Sequence, residues 1–474
     1  MADIERYIKK IPAQEADAKS GTIHSAVEAQ RAYYHSGVTR PTSFRIEMLK
    51  KLKKAIVEND ALISAALKAD LNKHPYETYM CETGLVLEEI DYHIKHLALW
   101  NMNRAVKPSL TQLPGLSSVV AEPMGVVLIM APWNYPIQLC LMPLIGAISA
   151  GNCAVIKPSA YAPESSHAIK SLIESVFAPE YVSVIEGGRE ENKSLLDEDF
   201  DYIFFTGSPA VGTTVMEAAS RKLIPVTLEL GGKSPTIVDE TADIKLAARR
   251  IAFGKVLNAG QTCVAPDYLL IHESVKQQFI AEYRRALSEF FQDGDMSDMV
   301  HIINDKHFMR LCGVLESGRA VIGGRANRET RFIEPTVLVD VDPDSPAMQK
   351  EIFGPILPVI SYSDLGDCIR FIRSRPKPLA LYFFSQNAQA QKRILDTCSF
   401  GGGCINDTIL HIVNSDAGFG GVGASGMGCY HGKRSFDTFT HYRTVLKQSG
   451  PVDMPIRYFP YTDAKEKMTR KILK

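Results

Sequence analysis

Between residues 125 and 156 the chain carries no charged residue, and no other feature narrows its fold as far. The run is long enough to cross a bilayer. Pro132, Pro136 and Pro143 interrupt it, together with Asn134, Gly146 and Asn152. A buried strand, loop, helix and strand account for the same apolarity without a membrane. A strand that is apolar on both faces belongs in a parallel sheet covered by helices on each side.

The next hundred residues repeat that texture. Short apolar runs at 126–130, 154–156, 182–185, 202–205 and 226–230 alternate with helical patterns near 137–150, 163–177 and 209–222. Such alternation implies parallel βαβ units and an α/β fold. The first hundred or so residues read instead as helices. Residues 43–71 place Ile46, Leu49, Leu52 and Ile56 at helical spacing with lysines on the other face, and 82–100 does the same. A second α/β stretch has strands expected at 236–238 and 268–271, helices at 243–259 and 275–291, and further elements to about 430. The glycine pair Gly231-Gly232 is the candidate boundary between the two stretches. Residues 111–122 and 438–446 have strand-like features outside the alternation. They are candidate edge strands, which invite pairing with a second chain.

A length of 474 residues suggests about three domains. The net charge is −1, so no basic excess points to nucleic acid or to an anionic membrane. The nine cysteines are odd in number and form no Cys-x-x-Cys pair, which argues against a disulfide framework or a structural zinc. Reduced thiols suit the cytoplasm. The nearest thing to a metal pair, His93 and His96, reads as two histidines on a solvated helix with no third ligand near in sequence. No metal is therefore expected. Met1-Ala2-Asp3-Ile4-Glu5-Arg6 lacks the apolar stretch of a signal peptide, and 465–474 is too polar for an anchor.

Two motifs point to a nucleotide. Phe205-Thr206-Gly207-Ser208-Pro209-Ala210-Val211-Gly212 follows a strand and opens a helix. Free backbone N–H groups and the helix dipole favour an anion there, and Gly207 allows close approach. A tight strand-to-helix turn would read the same way. Lys157, in Ile156-Lys157-Pro158-Ser159, ends a parallel strand, where ribose hydroxyls could reach it or where it could simply be solvated.

Two further residues point to covalent chemistry. Cys263 lies in Gly260-Gln261-Thr262-Cys263, and Glu229 in Leu228-Glu229-Leu230-Gly231-Gly232-Lys233. A thiolate can attack a carbonyl carbon, and a carboxylate can activate the water that releases the product. A free thiol is only about 3% ionised at neutral pH, so such a site must supply a base or a positive field.

These motifs, with Pro132-Trp133-Asn134-Tyr135-Pro136, Glu351-Ile352-Phe353-Gly354-Pro355, and the segment 419–423, come in the order and spacing of one family. The chain resembles the aldehyde dehydrogenase superfamily over about residues 25–450. Ala265-Pro266-Asp267-Tyr268 and the start near residue 25 match its class 3 branch, which oxidises fatty and aromatic aldehydes. The resemblance implies a Rossmann-like cofactor domain (1–106 and 125–230), an α/β catalytic domain (231–432), a small β bridging element (107–124 and 433–450) that builds a homodimer, and a C-terminal tail (451–474). It implies NAD or NADP as cofactor. Lys157 and Glu351 would hold the adenosine and nicotinamide riboses, Gly207 and Ser208 the pyrophosphate, and Phe353 the nicotinamide, with Trp133 also on the cofactor. Cys263 would be the nucleophile, Asn134 and the Cys263 N–H the oxyanion donors, and Glu229 the base that hydrolyses the thioester.

The chain departs from that pattern in three places. Ala160 stands where NAD-preferring relatives often carry a glutamate, so NADP is expected to be accepted alongside NAD. Gly418 replaces the usual proline before Phe419. Asp416 adds a carboxylate to a loop that commonly borders the aldehyde entrance, so neutral medium-chain or aromatic aldehydes are expected over anionic ones. Two alternatives stay open: an acylating semialdehyde dehydrogenase using coenzyme A, and a non-catalytic relative like the lens crystallins.

Overall fold

A computed structural model describes residues 13–473 except 449, 451 and 452. The polar start at residues 1–6 therefore lies outside the described residues, as do single positions of the bridging element and tail.

The uncharged run folds as a strand Val126–Met130, a helix Pro136–Ala150 and a strand Cys153–Lys157, all buried. Among the described residues no helix is long and apolar enough to cross a membrane. These strands belong to a six-stranded sheet ordered Gly426–Met427, Val226–Leu230, Tyr202–Gly207, Val126–Met130, Cys153–Lys157, Val182–Val184. All pairs are parallel except the one with Gly426–Met427. Chain order reverses direction at Val126–Met130, which pairs with both Cys153–Lys157 and Tyr202–Gly207. Ligands of open α/β sheets bind outside the carboxyl ends of the strands at such a switch point. Asn134, Lys157 and Gly207 all lie at those ends.

A seven-stranded sheet comes next, in the order Arg319–Ile322, Thr336–Val339, Ile356–Tyr362, Tyr268–His272, Pro235–Val238, Ala380–Phe384, Gly402–Ile405. Only the pair with Arg319–Ile322 is antiparallel. Gly231-Gly232 connects the last parallel strand of the first sheet, Val226–Leu230, to Pro235–Val238 of the second. The edge-strand stretches also form. Leu116–Pro123 pairs antiparallel with Thr440–Lys447 on one side and Arg104–Val106 on the other.

The expectation for His93 in the helical layer needs correction, whereas the periodic stretch 43–71 is helical as expected, in two helices, Thr42–Glu58 and Asp60–Leu71, that break at Asn59. The Asn59 side chain bonds back to Ala55 O at 2.8 Å, the local competition by which asparagine ends helices. His93 is not on a solvated face. It is fully buried, with Nδ1 2.6 Å from Ser149 Oγ and Nε2 3.1 Å from Glu89 Oε1. His96 is half-buried, with its ring 2.8 Å from Tyr92 O.

Candidate active site

Cys263 lies just after a turn with three successive left-handed residues, Asn258 (φ 51°), Ala259 (φ 52°) and Gly260 (φ 69°). At Gly260 the reason is packing as well as conformation. A Cβ there would collide with the backbone oxygen of Gly354, so only glycine lets the turn rest on the loop carrying Glu351 and Phe353. The Cys263 pKa is pushed up, first by burial, then by the carboxylates of Glu351 and Glu229. The backbone N–H groups of Cys263 and Val264 oppose this in part. The field in this site therefore favours the neutral thiol, and ionisation requires a base or an added positive charge.

Glu229 is the second member. It sits on Val226–Leu230, in register with Thr206 on one side and Gly426 on the other. It is buried, and neither carboxylate oxygen has a hydrogen-bond partner. Burial raises its pKa well above the ordinary carboxylate value. An unpartnered buried carboxylate is costly and is a mark of a group kept for chemistry. Gly420 makes room for it, since a Cβ there would lie 3.2 Å from Glu229 Oε1.

Asn134 follows the first parallel strand. Its Nδ2 donates to Gln261 O at 3.0 Å, which ties it to the turn that presents Cys263. An amide carries two hydrogens, so one more can serve a ligand. The amide is thus tied to the turn that precedes Cys263, and the Glu229 carboxylate contributes to the field at that thiol.

The residues expected on a cofactor occupy two places. Lys157, Gly207 and Ser208 line the carboxyl ends of the first sheet. Lys157 is buried, donates to Pro158 O (2.7 Å) and Gly187 O (2.6 Å), and has its pKa lowered to about 8 by burial. A third ammonium hydrogen remains. Ser208 precedes the helix Pro209–Lys222 and makes no side-chain cap, and the positions that follow it are exposed. A Cβ on Gly207 would lie 2.5 Å from the Phe205 ring. Glu351, Phe353 and Trp133 lie nearer the thiol. Glu351 accepts from Gly232 N–H, its Oε1 has no partner, and burial with Asp267 raises its pKa to about 8. Phe353 holds a left-handed φ of 52° and meets Trp133 edge-on at 5.4 Å. An uncapped helix start, a spare ammonium hydrogen and an orphaned carboxylate oxygen fit a nucleotide bearing phosphates and hydroxyls.

Residues with no role assigned from the sequence also build the site. Asp267 pairs with Lys233 and accepts from Ile352 N–H at 2.7 Å. Gln261 is locked by Asn258 O, His301 O and Ile303 N. Tyr382 donates to Val264 O at 2.5 Å. Most of their partners are distant in the chain, and although Gln261, Lys233 and Asp267 stand inside the motifs, the motifs gave them no role.

Asp416 accepts from Tyr92 OH and, with Ser415, His431, Lys433, Arg434 and Asp437, lines a cavity of ≈ 310 Å³. Gly418 has a packing reason of its own, because a Cβ there would collide with Cys429 Sγ.

Two largely parallel sheets, with an unpartnered buried carboxylate and a half-buried thiol on the segments near their junction, are the framework of an α/β enzyme. The chain belongs to the aldehyde dehydrogenase family, whose model matches residues 1–445. It is 50% identical over 435 residues to the 4,4'-diaponeurosporen-aldehyde dehydrogenase of Staphylococcus aureus, covering 91% of this chain and 95% of that one. It is 46% identical to the dimeric NADP-preferring aldehyde dehydrogenase of Mus musculus, covering 90% and 95%. In structure it is similar to the substrate-bound state of Staphylococcus aureus AldH, with a TM-score of 0.93, 48% identity, and coverage of 95% and 99%. The NAD+ complex of an aldehyde dehydrogenase from Bacillus cereus matches with a TM-score of 0.82 at 26% identity, covering 90% and 89%.

Proposed function

We propose that this chain oxidises a neutral aliphatic or aromatic aldehyde to its carboxylic acid through a thioester on Cys263, with NAD or NADP as hydride acceptor. Once its thiol proton has passed to Glu229 or to solvent, the Cys263 sulfur attacks the carbonyl carbon, and the new alkoxide is held by the free N–H of Asn134 and by the Cys263 backbone N–H. Such a donor is worth about 3–4 kcal/mol of barrier. A nicotinamide bound there would supply the hydride acceptor, leaving the acyl group as a thioester on Cys263. Glu229 then takes a proton from the water that hydrolyses the thioester. The observation that carries this reading is Glu229 itself, a buried carboxylate with neither oxygen partnered, whose charge acts on the half-buried Cys263 thiol.

On the cofactor, Lys157 and Glu351 would bind the riboses, Gly207 and Ser208 the pyrophosphate, and Phe353 with Trp133 would pack the nicotinamide. Ala160 is exposed and brings no carboxylate to repel a 2′-phosphate, which supports acceptance of NADP. The mouse relative's NADP preference agrees. We assign residues 1–106 and 125–230 to the cofactor domain, 231–432 to the catalytic domain, and 107–124 with 433–450 to a bridging element in a cytoplasmic homodimer. Support for the dimer is the outer strand Thr440–Lys447, whose side chains are exposed from His441 onward.

The test is Glu229→Gln, assayed with benzaldehyde and each cofactor. Steady turnover should fall at least about a hundredfold while a single burst of reduced cofactor persists. Retention of turnover, or turnover that requires coenzyme A and yields an acyl-coenzyme A in place of free acid, would sink the hydrolytic assignment. No reduction by the wild type, with Cys263→Ala as the blank, would point to a non-catalytic protein.

A further inference from the structure

The strongest unexplained group lies behind the active site, in the N-terminal helical layer. Lys73 and Glu82 are both fully buried, and Lys73 Nζ lies 2.5 Å from Glu82 Oε1. A buried ion pair is poor value for stability, because well-packed apolar residues of similar volume are often as stable or more so. This one reaches two residues of the loop that presents Asn134 and two of the helix that follows it. Lys73 Nζ donates to Asn134 O at 3.3 Å and sits 4.4 Å over the Tyr135 ring. Glu82 Oε2 accepts from Ile137 N at 2.8 Å and Gln138 N at 3.3 Å, at the start of the helix after that loop.

A second set of contacts closes the frame from the nucleophile side. Asn258 Nδ2 donates to Asn134 O at 2.9 Å and to Gln261 O at 3.0 Å. Gln261 O also accepts from Asn134 Nδ2, and Tyr135 OH lies 2.6 Å from Thr262 Oγ1. Glu77, whose carboxylate feels the Lys73 charge, accepts from Asn258 N at 2.8 Å. The backbone oxygen of Asn134 is therefore clamped between an ammonium from one layer and an amide from the other.

We infer that Lys73, held in place by Glu82, is a positioning residue for Asn134, fixing the amide donor against the turn that carries Cys263. An ammonium is suited to the place because it donates to Glu82 and to Asn134 O while its charge packs on the Tyr135 ring. The role matters for rate because a misplacement of about 1 Å in a donor can cost about a hundredfold. The inference rests on the reading of Asn134 as the oxyanion donor, and its test separates the two.

The experiment is a double-mutant cycle on the full chain, reading the pre-steady-state burst of NADH with benzaldehyde and NAD+. Asn134→Ala should slow the burst about a hundredfold or more. Lys73→Met should slow it at least about tenfold, with the KM for NAD+ changed less than about twofold. In the Asn134→Ala background, Lys73→Met should cost nothing further. If Lys73→Met leaves the burst rate alone, or slows it equally in both backgrounds, the positioning role is wrong. If Asn134→Ala itself leaves the burst unchanged, the oxyanion reading falls and this inference falls with it. Should Lys73→Met not fold, Lys73→Gln, a donor without charge, enters the same cycle with the same criteria.

Discussion

Asp267 accepts a 2.7 Å hydrogen bond from the backbone N–H of Ile352. It thereby joins the segment just after Cys263 to the middle of the loop carrying Glu351 and Phe353. Its other oxygen pairs with Lys233, which in turn donates to Ala347 O and Lys350 O upstream of the same loop. The thiol and the residues read as nicotinamide contacts are thus held by one carboxylate.

Asp267→Asn keeps the size of the side chain and removes its charge. Lys233 then loses its ion-pair partner and the loop loses its tie. The expected result is a rise of about tenfold in the KM for the cofactor, about 1.4 kcal/mol, with the Glu229-dependent hydrolysis step unchanged. Initial-rate and single-turnover kinetics read the two quantities separately.

Glu351 makes stability depend on pH. Its pKa rises from 4.5 to about 8, through burial first and Asp267 second. Between those values the folded chain binds more protons at this site than the unfolded chain. The contribution is fully present below 4.5 and is lost as pH rises towards 8. Comparing wild type with Glu351→Gln by urea denaturation, the wild-type advantage should shrink by up to about 1.4 kcal/mol per pH unit across that window. Lys157 and Lys255, both lowered to about 8 by burial, act above the window and in the opposite sense, so they do not mask it.

Gly418 and Cys429 are matched. A proline at position 418 should therefore destabilise the chain. Gly418→Pro is expected to cost about 1–3 kcal/mol through overpacking against the Cys429 sulfur. Adding Cys429→Ala should recover most of that loss. Thermal denaturation of the single and double variants decides it, and a neutral Gly418→Pro would show that the loop relaxes freely.

The proposed dimer places its demand on Thr440–Lys447. Leu446 is 43% exposed and Val445 40%, on a strand whose outer edge is unpaired in the single chain. Charge at such an edge blocks strand pairing. Val445→Lys with Leu446→Glu should shift sedimentation to the monomer while the helical and sheet content by circular dichroism stays the same.

Much of the fold was legible along the chain, and the reason is local. Val126–Met130 and Val226–Leu230 form over the expected residues because a short apolar run between glycine, proline and asparagine has few other uses. The helix Pro209–Lys222 likewise begins at its proline and ends in basic residues. Periodicity did not mark the break that Asn59 makes between two helices, nor burial that depended on partners far away. His93 looks solvated in a helix carrying Glu88, Glu89 and Lys95, yet Ser149 of the uncharged helix covers it.

The sequence by itself determined the α/β class, the strands whose ends receive a ligand, and the residue types able to carry covalent chemistry. Those come from short-range patterning and from what a thiol, a carboxylate and an amide can do. Only the tertiary structure decided that Glu229 is left without a partner, that Glu351 lies against Gly231 and Gly232, and that Asn134 is clamped between Lys73 and Asn258. Desolvation and hydrogen-bond satisfaction are set by atoms from segments far apart in the chain, and no local pattern encodes which of them will meet.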